Sequence, residues 1–192
     1  MSQNNEDWTL EIYPKTKLFD LNLKEIWRYR DLLTLFVRRD FVAVYKQTIF
    51  GPLWFFVQPI LTTIMFMVVF GGIAKMSTDG MPPAVFYLAG IVLWNYFSSA
   101  LTVTSNTFIS NSGVFGKVYF PRIVTPISVI ISKLLTFGVQ FGLFLLVYFY
   151  YMWFTDAPLQ PNIALFLVPL LIVLTALLSL GLGLIITALT TK

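Results

Sequence analysis

Four stretches of this chain carry no charged side chain: residues 47–74, 80–116, 134–155 and 157–191, of 28, 37, 22 and 35 residues. A helix on a water-soluble protein must keep one face polar. A bilayer core of about 30 Å needs roughly 20 apolar residues at ~1.5 Å rise per residue. Each stretch is long enough to cross. The sequence therefore reads as an all-α integral membrane protein with several transmembrane helices.

Composition narrows the field further. Only 11% of residues are charged and 57% are hydrophobic, against about a quarter charged in a soluble domain. This leaves no room for a separate water-soluble domain. Cysteine and histidine are both absent. Thiolate metal sites, disulfides and the usual near-neutral proton shuttle are thereby excluded. The few basic residues are mixed with acids, so no nucleic-acid partner is expected. No cleavable signal peptide is expected either, because the first apolar run begins near residue 49, behind a charged segment.

The pattern predicts four spans at about 52–73, 84–108, 127–154 and 163–189. Together they form a transmembrane region from 49 to 192, after an N-terminal segment 1–48. Gly51-Pro52 suits a helix start, and Pro59 and Pro169 should bend or loosen the first and fourth spans. Of 13 Lys and Arg, eight precede the first span, and Lys117, Arg122, Lys133 and Lys192 fall on the same side. Only Lys75 falls opposite. The positive-inside rule then places the N-terminus, the 109–126 link and Lys192 in the cytoplasm. On this reading Lys133, near the cytoplasmic end of the third span, snorkels to the headgroups.

Three regions have the chemistry to do more than span. Residues 23–46 place Leu23, Ile26, Trp27, Leu33, Phe36, Val37, Phe41 and Val44 at helical spacing, with Arg38 and Arg39 on a basic flank. This predicts an amphipathic interfacial helix that lies on membrane lipid and can also receive a cytoplasmic partner. The link Ser110–Arg122 holds an apolar cluster, Val118, Tyr119 and Phe120, between Lys117 and Arg122. It is either an anchored loop or an element that inserts into a partner. It is not a phosphate loop, since Val118 stands where Ser or Thr is required. Finally, Trp94, Asn95, Tyr96, Gln58 and Gln140 lie inside spans. Polar groups at that depth either hydrogen-bond between helices or line a cavity.

Two weaker signals accompany these. Aromatics crowd the outer end of the third span, from Tyr148 to Phe154, as an interfacial belt or a surface for sugar rings. Gly138 and Gly142 are spaced for close helix contact, as are Ser179, Gly181 and Gly183. No span contains Asp, Glu or His. No catalytic residue and no metal site is therefore expected, and any pumping must draw energy from another subunit.

The motifs Tyr29-Arg-Asp-Leu-Leu33, Val37-Arg-Arg-Asp-Phe41, Tyr45-Lys-Gln-Thr48 and Gly51-Pro-Leu-Trp54, with Gln58-Pro59, resemble the opening of bacterial polysaccharide-export ABC permeases. Ala89-Gly-Ile-Val-Leu-Trp-Asn-Tyr-Phe-Ser98 resembles their second span, and Lys117-Val-Tyr-Phe-Pro-Arg122 their cytoplasmic coupling segment. The resemblance covers about residues 23–126. It implies a type-2 ABC exporter in the bacterial inner membrane, formed by two permease subunits and two ATPase subunits that bind ATP and Mg. The substrate would be a lipid-linked polysaccharide such as O-antigen, capsule or teichoic acid. Lys117, Val118, Tyr119, Phe120, Pro121 and Arg122 would enter a groove on the ATPase. Arg38, Arg39, Asp40, Tyr45 and Lys46 would lie near that contact, and Gln58, Trp94, Asn95, Tyr96 and Gln140 are candidates for the translocation path. The family normally has six spans and four are predicted here, so either the chain is a truncated version of a six-span protein or the resemblance does not extend to that half. Two other readings fit the same pattern: an ABC permease for drugs or small lipids, and a non-transporting membrane scaffold for a cytoplasmic enzyme.

Overall fold

The computed structural model describes residues 23–46, 51–117, 119–155, 159 and 163–190. Val118, Lys192 and the side chains of Tyr45 and Lys46 lie outside the described residues. Every regular element among the described residues is helical.

The chain opens with α1 (Leu23–Arg28) and α2 (Arg30–Lys46). The sequence predicts one helix here. Tyr29 interrupts it as a turn, its N–H donating to the Ile26 carbonyl at 3.1 Å, only three residues back. A short 3-10 turn, Gly51–Leu53, then leads into α3 (Trp54–Phe66). Gly51 has φ +50°, a conformation that a side chain would strain. α3 continues through Pro59 and loosens into π-helical turns over Met67–Ile73. The chain returns along α4 (Pro83–Ser105), with Pro83 in the first turn, where a missing N–H is harmless. Two one-turn helices follow, α5 (Thr107–Ser110) and α6 (Ser112–Phe115). Then come α7 (Val124–Phe154) and, after a 3-10 stretch over Ile163–Leu167, α8 (Val168–Thr190).

Pro169 corrects an expectation. It is the second residue of α8, so it starts this helix instead of bending it. The four long apolar helices, Trp54–Ile73, α4, α7 and α8, are each suited to cross a bilayer. The chain is an all-α integral membrane protein.

α4 is the central helix, packed against α3, α7 and α8, while α2 lies along α7. Leu88, Val92, Tyr96 and Ala100 of α4 form the core with Ile130 and Phe137 of α7. The α4–α8 crossing depends on small residues. Ser179, Gly183 and Thr187 recur every four residues on α8 and are buried, as are Ala100 and Thr104 on α4. A Cβ added at Gly183 would sit 2.6 Å from Thr104 Cγ2. Glycine is what permits this approach. Gly138 and Gly142, also spaced for close packing, have nothing within 4 Å of an added Cβ. The close crossing belongs to α8, not α7.

α7 is also unusually long. Its 31 residues span roughly 46 Å at 1.5 Å each, well beyond a ~30 Å hydrocarbon core. α2 covers its first turns, where Val124, Thr125, Ser128 and Val129 are buried.

Gly183→Ala should destabilise the chain by about 1–3 kcal/mol through overpacking. Gly138→Ala and Gly142→Ala should be neutral or slightly stabilising, because alanine is the better helix former. Thermal unfolding of the three variants in one detergent checks this ordering.

Candidate functional site

Two constructions stand out, one at the end of the molecule where α2 lies and one between the spans.

At the α2 end, a second apolar cluster joins Phe36 of α2 to Phe120 and Val124, with Phe115 packed against them. The Phe36 and Phe120 rings lie 5.8 Å apart, and Phe115 and Phe120 5.5 Å apart. Arg39 stacks its guanidinium on Phe36 at 4.8 Å. Its Nε donates to Asp40 Oδ1 at 2.8 Å and its Nη2 to Asn111 Oδ1 at 3.2 Å. Asn111 is buried and donates in turn, through Nδ2, to the Thr107 carbonyl at 2.9 Å. Phe41 stacks on Phe55 of α3 at 6.3 Å. α2 thus holds the 107–124 link, α3 and α7 together. Of its predicted apolar stripe, Phe36 and Val37 are buried, whereas Trp27 is 70% exposed.

The predicted coupling segment divides by orientation. Phe120 is buried against Phe36, so it braces the link from inside and offers no surface to a partner. Tyr119 beside it is 77% exposed. Lys117 and Arg122 are exposed on either side, Arg122 lying 5.9 Å from the Phe115 ring, and Pro121 is half-buried. On α2, Arg38 and Arg39 are exposed and line a shallow groove with Leu35, Val42 and Ala43. Asp40 is half-buried, its Oδ1 held by Arg39 Nε at 2.8 Å.

Between α3, α4 and α7 lies a polar cavity of about 430 Å³. Gln58, Asn95, Tyr96 and Gln140 all line it. Among the described residues, none of the three amides has a hydrogen-bond partner. They face the cavity instead of pinning helices together. Each wall comes from helical spacing. Lys133, Thr136, Phe137 and Gln140 share one face of α7, and Asn95, Ser98, Ser99 and Thr102 share one face of α4. Trp94, one residue from Asn95, points the other way. It is 64% exposed and lines a separate apolar cavity of about 750 Å³ with Phe66, Phe86, Phe144 and Tyr148.

Lys133 is the residue whose role the sequence concealed. It is the one charged side chain in the four spans, and it lines the polar cavity instead of only reaching for headgroups. Asn111 was hidden too, since its partner Arg39 is 72 residues away and nothing in the link's spacing points to it.

Residues 31–192 match the family described as ABC-2 type transporter. The chain belongs to that family. This ABC-2 transporter chain is 28% identical over 123 residues to an O-antigen export system permease protein RfbA of Myxococcus xanthus, covering 64% of this chain and 46% of the relative. Two relatives of the same description from Klebsiella pneumoniae are 29% identical over 107 residues, covering 56% of this chain and 40% of each relative. The matched region thus spans less than half the length of these curated relatives.

The inward and outward residues of the link should separate cleanly. Phe120→Ala should cost about 3–5 kcal/mol of stability, as for other large-to-small changes at buried aromatics. Tyr119→Ala should stay within about 0.5 kcal/mol of the parent. Chemical unfolding in detergent micelles distinguishes the two.

Proposed function

We propose that this chain is permease material of an ATP-driven exporter that moves a lipid-linked polysaccharide, of the O-antigen type, across the bacterial cytoplasmic membrane. The observation that carries the reading is the family membership together with the similarity to O-antigen export permeases. The arrangement at the α2 end agrees with it. An exposed Tyr119, flanked by the cations Lys117 and Arg122, stands on a link wired through Phe120 and Arg39 into α2, and through α2 into α3 and α7. A partner pressing on Tyr119 would therefore act on two spans that wall the polar cavity.

On this reading the α2 end faces the cytoplasm, as the Lys and Arg distribution implies. A separate ATPase subunit binds ATP and Mg and engages Lys117, Tyr119 and Arg122, with Arg38 at the margin of the contact. Two permease copies complete the path. Gln58, Asn95 and Gln140 supply polar wall to that path, and Tyr96 joins the lining through its ring, its hydroxyl being buried. Amides and hydroxyls beside the rings of Trp54, Phe55 and Phe137 suit a sugar, which offers hydroxyls at its edge and an apolar face.

Affinity purification of the chain in mild detergent, from cells that make its ATPase, tests the reading. A stoichiometric ATPase should co-purify with the parent and be lost with the double change Tyr119→Ala and Arg122→Ala, while Trp27→Ala leaves it in place. Retention of the ATPase by the double variant would remove the coupling role from the link.

A further inference from the structure

We infer that the cavity between α3, α4 and α7 is a binding site for a glycosyl phosphate head group, with Lys133 as its anion-binding residue. The inference rests on the export reading for its choice of ligand, but the site itself is built from this chain's own side chains. An ionised lysine inside a membrane span is expensive unless something offsets its charge. Among the described residues no carboxylate stands within ion-pair distance of Lys133. Asp40, on α2, which packs against α7, is already engaged at 2.8 Å by Arg39 Nε. Among the described residues no other charged group lines the cavity. Lys133 is therefore a cation of the cavity that lacks a close anion.

The rest of the wall specifies what that anion carries. Gln140 lies two turns deeper than Lys133 on the same face of α7. It is 6% exposed and no described residue hydrogen-bonds its amide. Asn95 faces it from α4 and Gln58 from α3, likewise unpartnered among the described residues. Gln140 is buried, Asn95 half-buried and Gln58 exposed, so the three amides present free donors and acceptors to the cavity, which suit a ligand rich in hydroxyls and carbonyls. An ammonium, amides and aromatic rings in one lining match a phosphate ester bonded to a sugar. Lys133 gives charge-assisted hydrogen bonds to phosphate oxygens, and the amides each donate to and accept from sugar hydroxyls. A plain anion would leave the amides unpaired, and a neutral sugar would leave Lys133 unpaired.

The test is native mass spectrometry of the 192-residue chain in zwitterionic micelles, titrated with dodecyl phosphate, glucose 1-phosphate and dodecyl glucoside. Dodecyl phosphate should bind one per chain. Lys133→Gln should weaken it by about tenfold or more, and Lys133→Arg should retain it. Gln140→Leu should weaken dodecyl glucoside and leave dodecyl phosphate unchanged. Circular dichroism and a monodisperse elution profile show that each variant is folded. Glucose 1-phosphate binding as tightly as dodecyl phosphate would support the site but assign it to a soluble sugar phosphate. Equal dodecyl phosphate binding by folded Lys133→Gln and the parent would overturn the inference. The export reading is judged separately, by the co-purifying ATPase. A chain that binds the phosphate through Lys133 but recovers no ATPase keeps the site and loses the exporter.

Discussion

A bilayer offers no hydrogen bonds to a side chain, and this constraint organises everything else in the molecule. Polar residues in a membrane span must find one another, return to the backbone, or enclose a space of their own. Several hydroxyls take the second route: Thr63, Thr136 and Thr175 donate to carbonyls four residues back. The amides of Gln58, Asn95 and Gln140 take the third. They converge on one cavity from three helices, and the apolar surface of those helices is turned outward, where Leu134, Leu135 and Leu146 are exposed. That convergence is possible because α4 sits centrally and approaches α8 closely through Gly183. The tight crossing on one side of α4 leaves its other side for the cavity.

A second set of contacts connects this interior to the surface. The overlong α7 gives α2 something to lie against, and the Phe36, Arg39 and Phe41 side chains bind α2 to the link and to α3. Arg39 is the pivot, stacked on one ring and bonded to both Asp40 and Asn111. Packed contacts of this kind move as units, since close-packed interiors transmit displacement. Tyr119 is thereby joined to the cavity by a short path: link, α2, then α3 and α7.

The spans were legible in the sequence because the signal is local. Long charge-free stretches admit few alternatives, and the uneven distribution of Lys and Arg gives them direction. The polar residues of the cavity were legible as a set for the same reason, since an amide at that depth needs an explanation. Trp94 lies mid-span beside Asn95, yet neighbouring residues on a helix point about 100° apart, and it faces a different cavity. Whether the amides would bond to each other or surround a space could not be read, because that depends on how far apart the helices stand. The same limit hid the inward turn of Phe120, the role of Asn111 and the choice of Gly183 over Gly138. Each is decided by a partner on another element. Lys133 sits at a depth along α7 from which a lysine can snorkel, and that its face lines a cavity is set by where α3 and α4 stand.

If α3, α4 and α7 leave an open cavity between them rather than a solid helix bundle, the aqueous phase should reach its wall. The chain has no cysteine, so single cysteines can be introduced without background. Two positions suffice: Ser98, in the cavity wall, and Leu135, exposed on the outer face of α7 near the depth of Lys133. In membrane vesicles, a small charged methanethiosulfonate reagent should modify the Ser98→Cys variant and leave the Leu135→Cys variant unreacted. If neither position reacts, or if Leu135→Cys reacts as fast as Ser98→Cys, the space between α3, α4 and α7 is not an aqueous compartment.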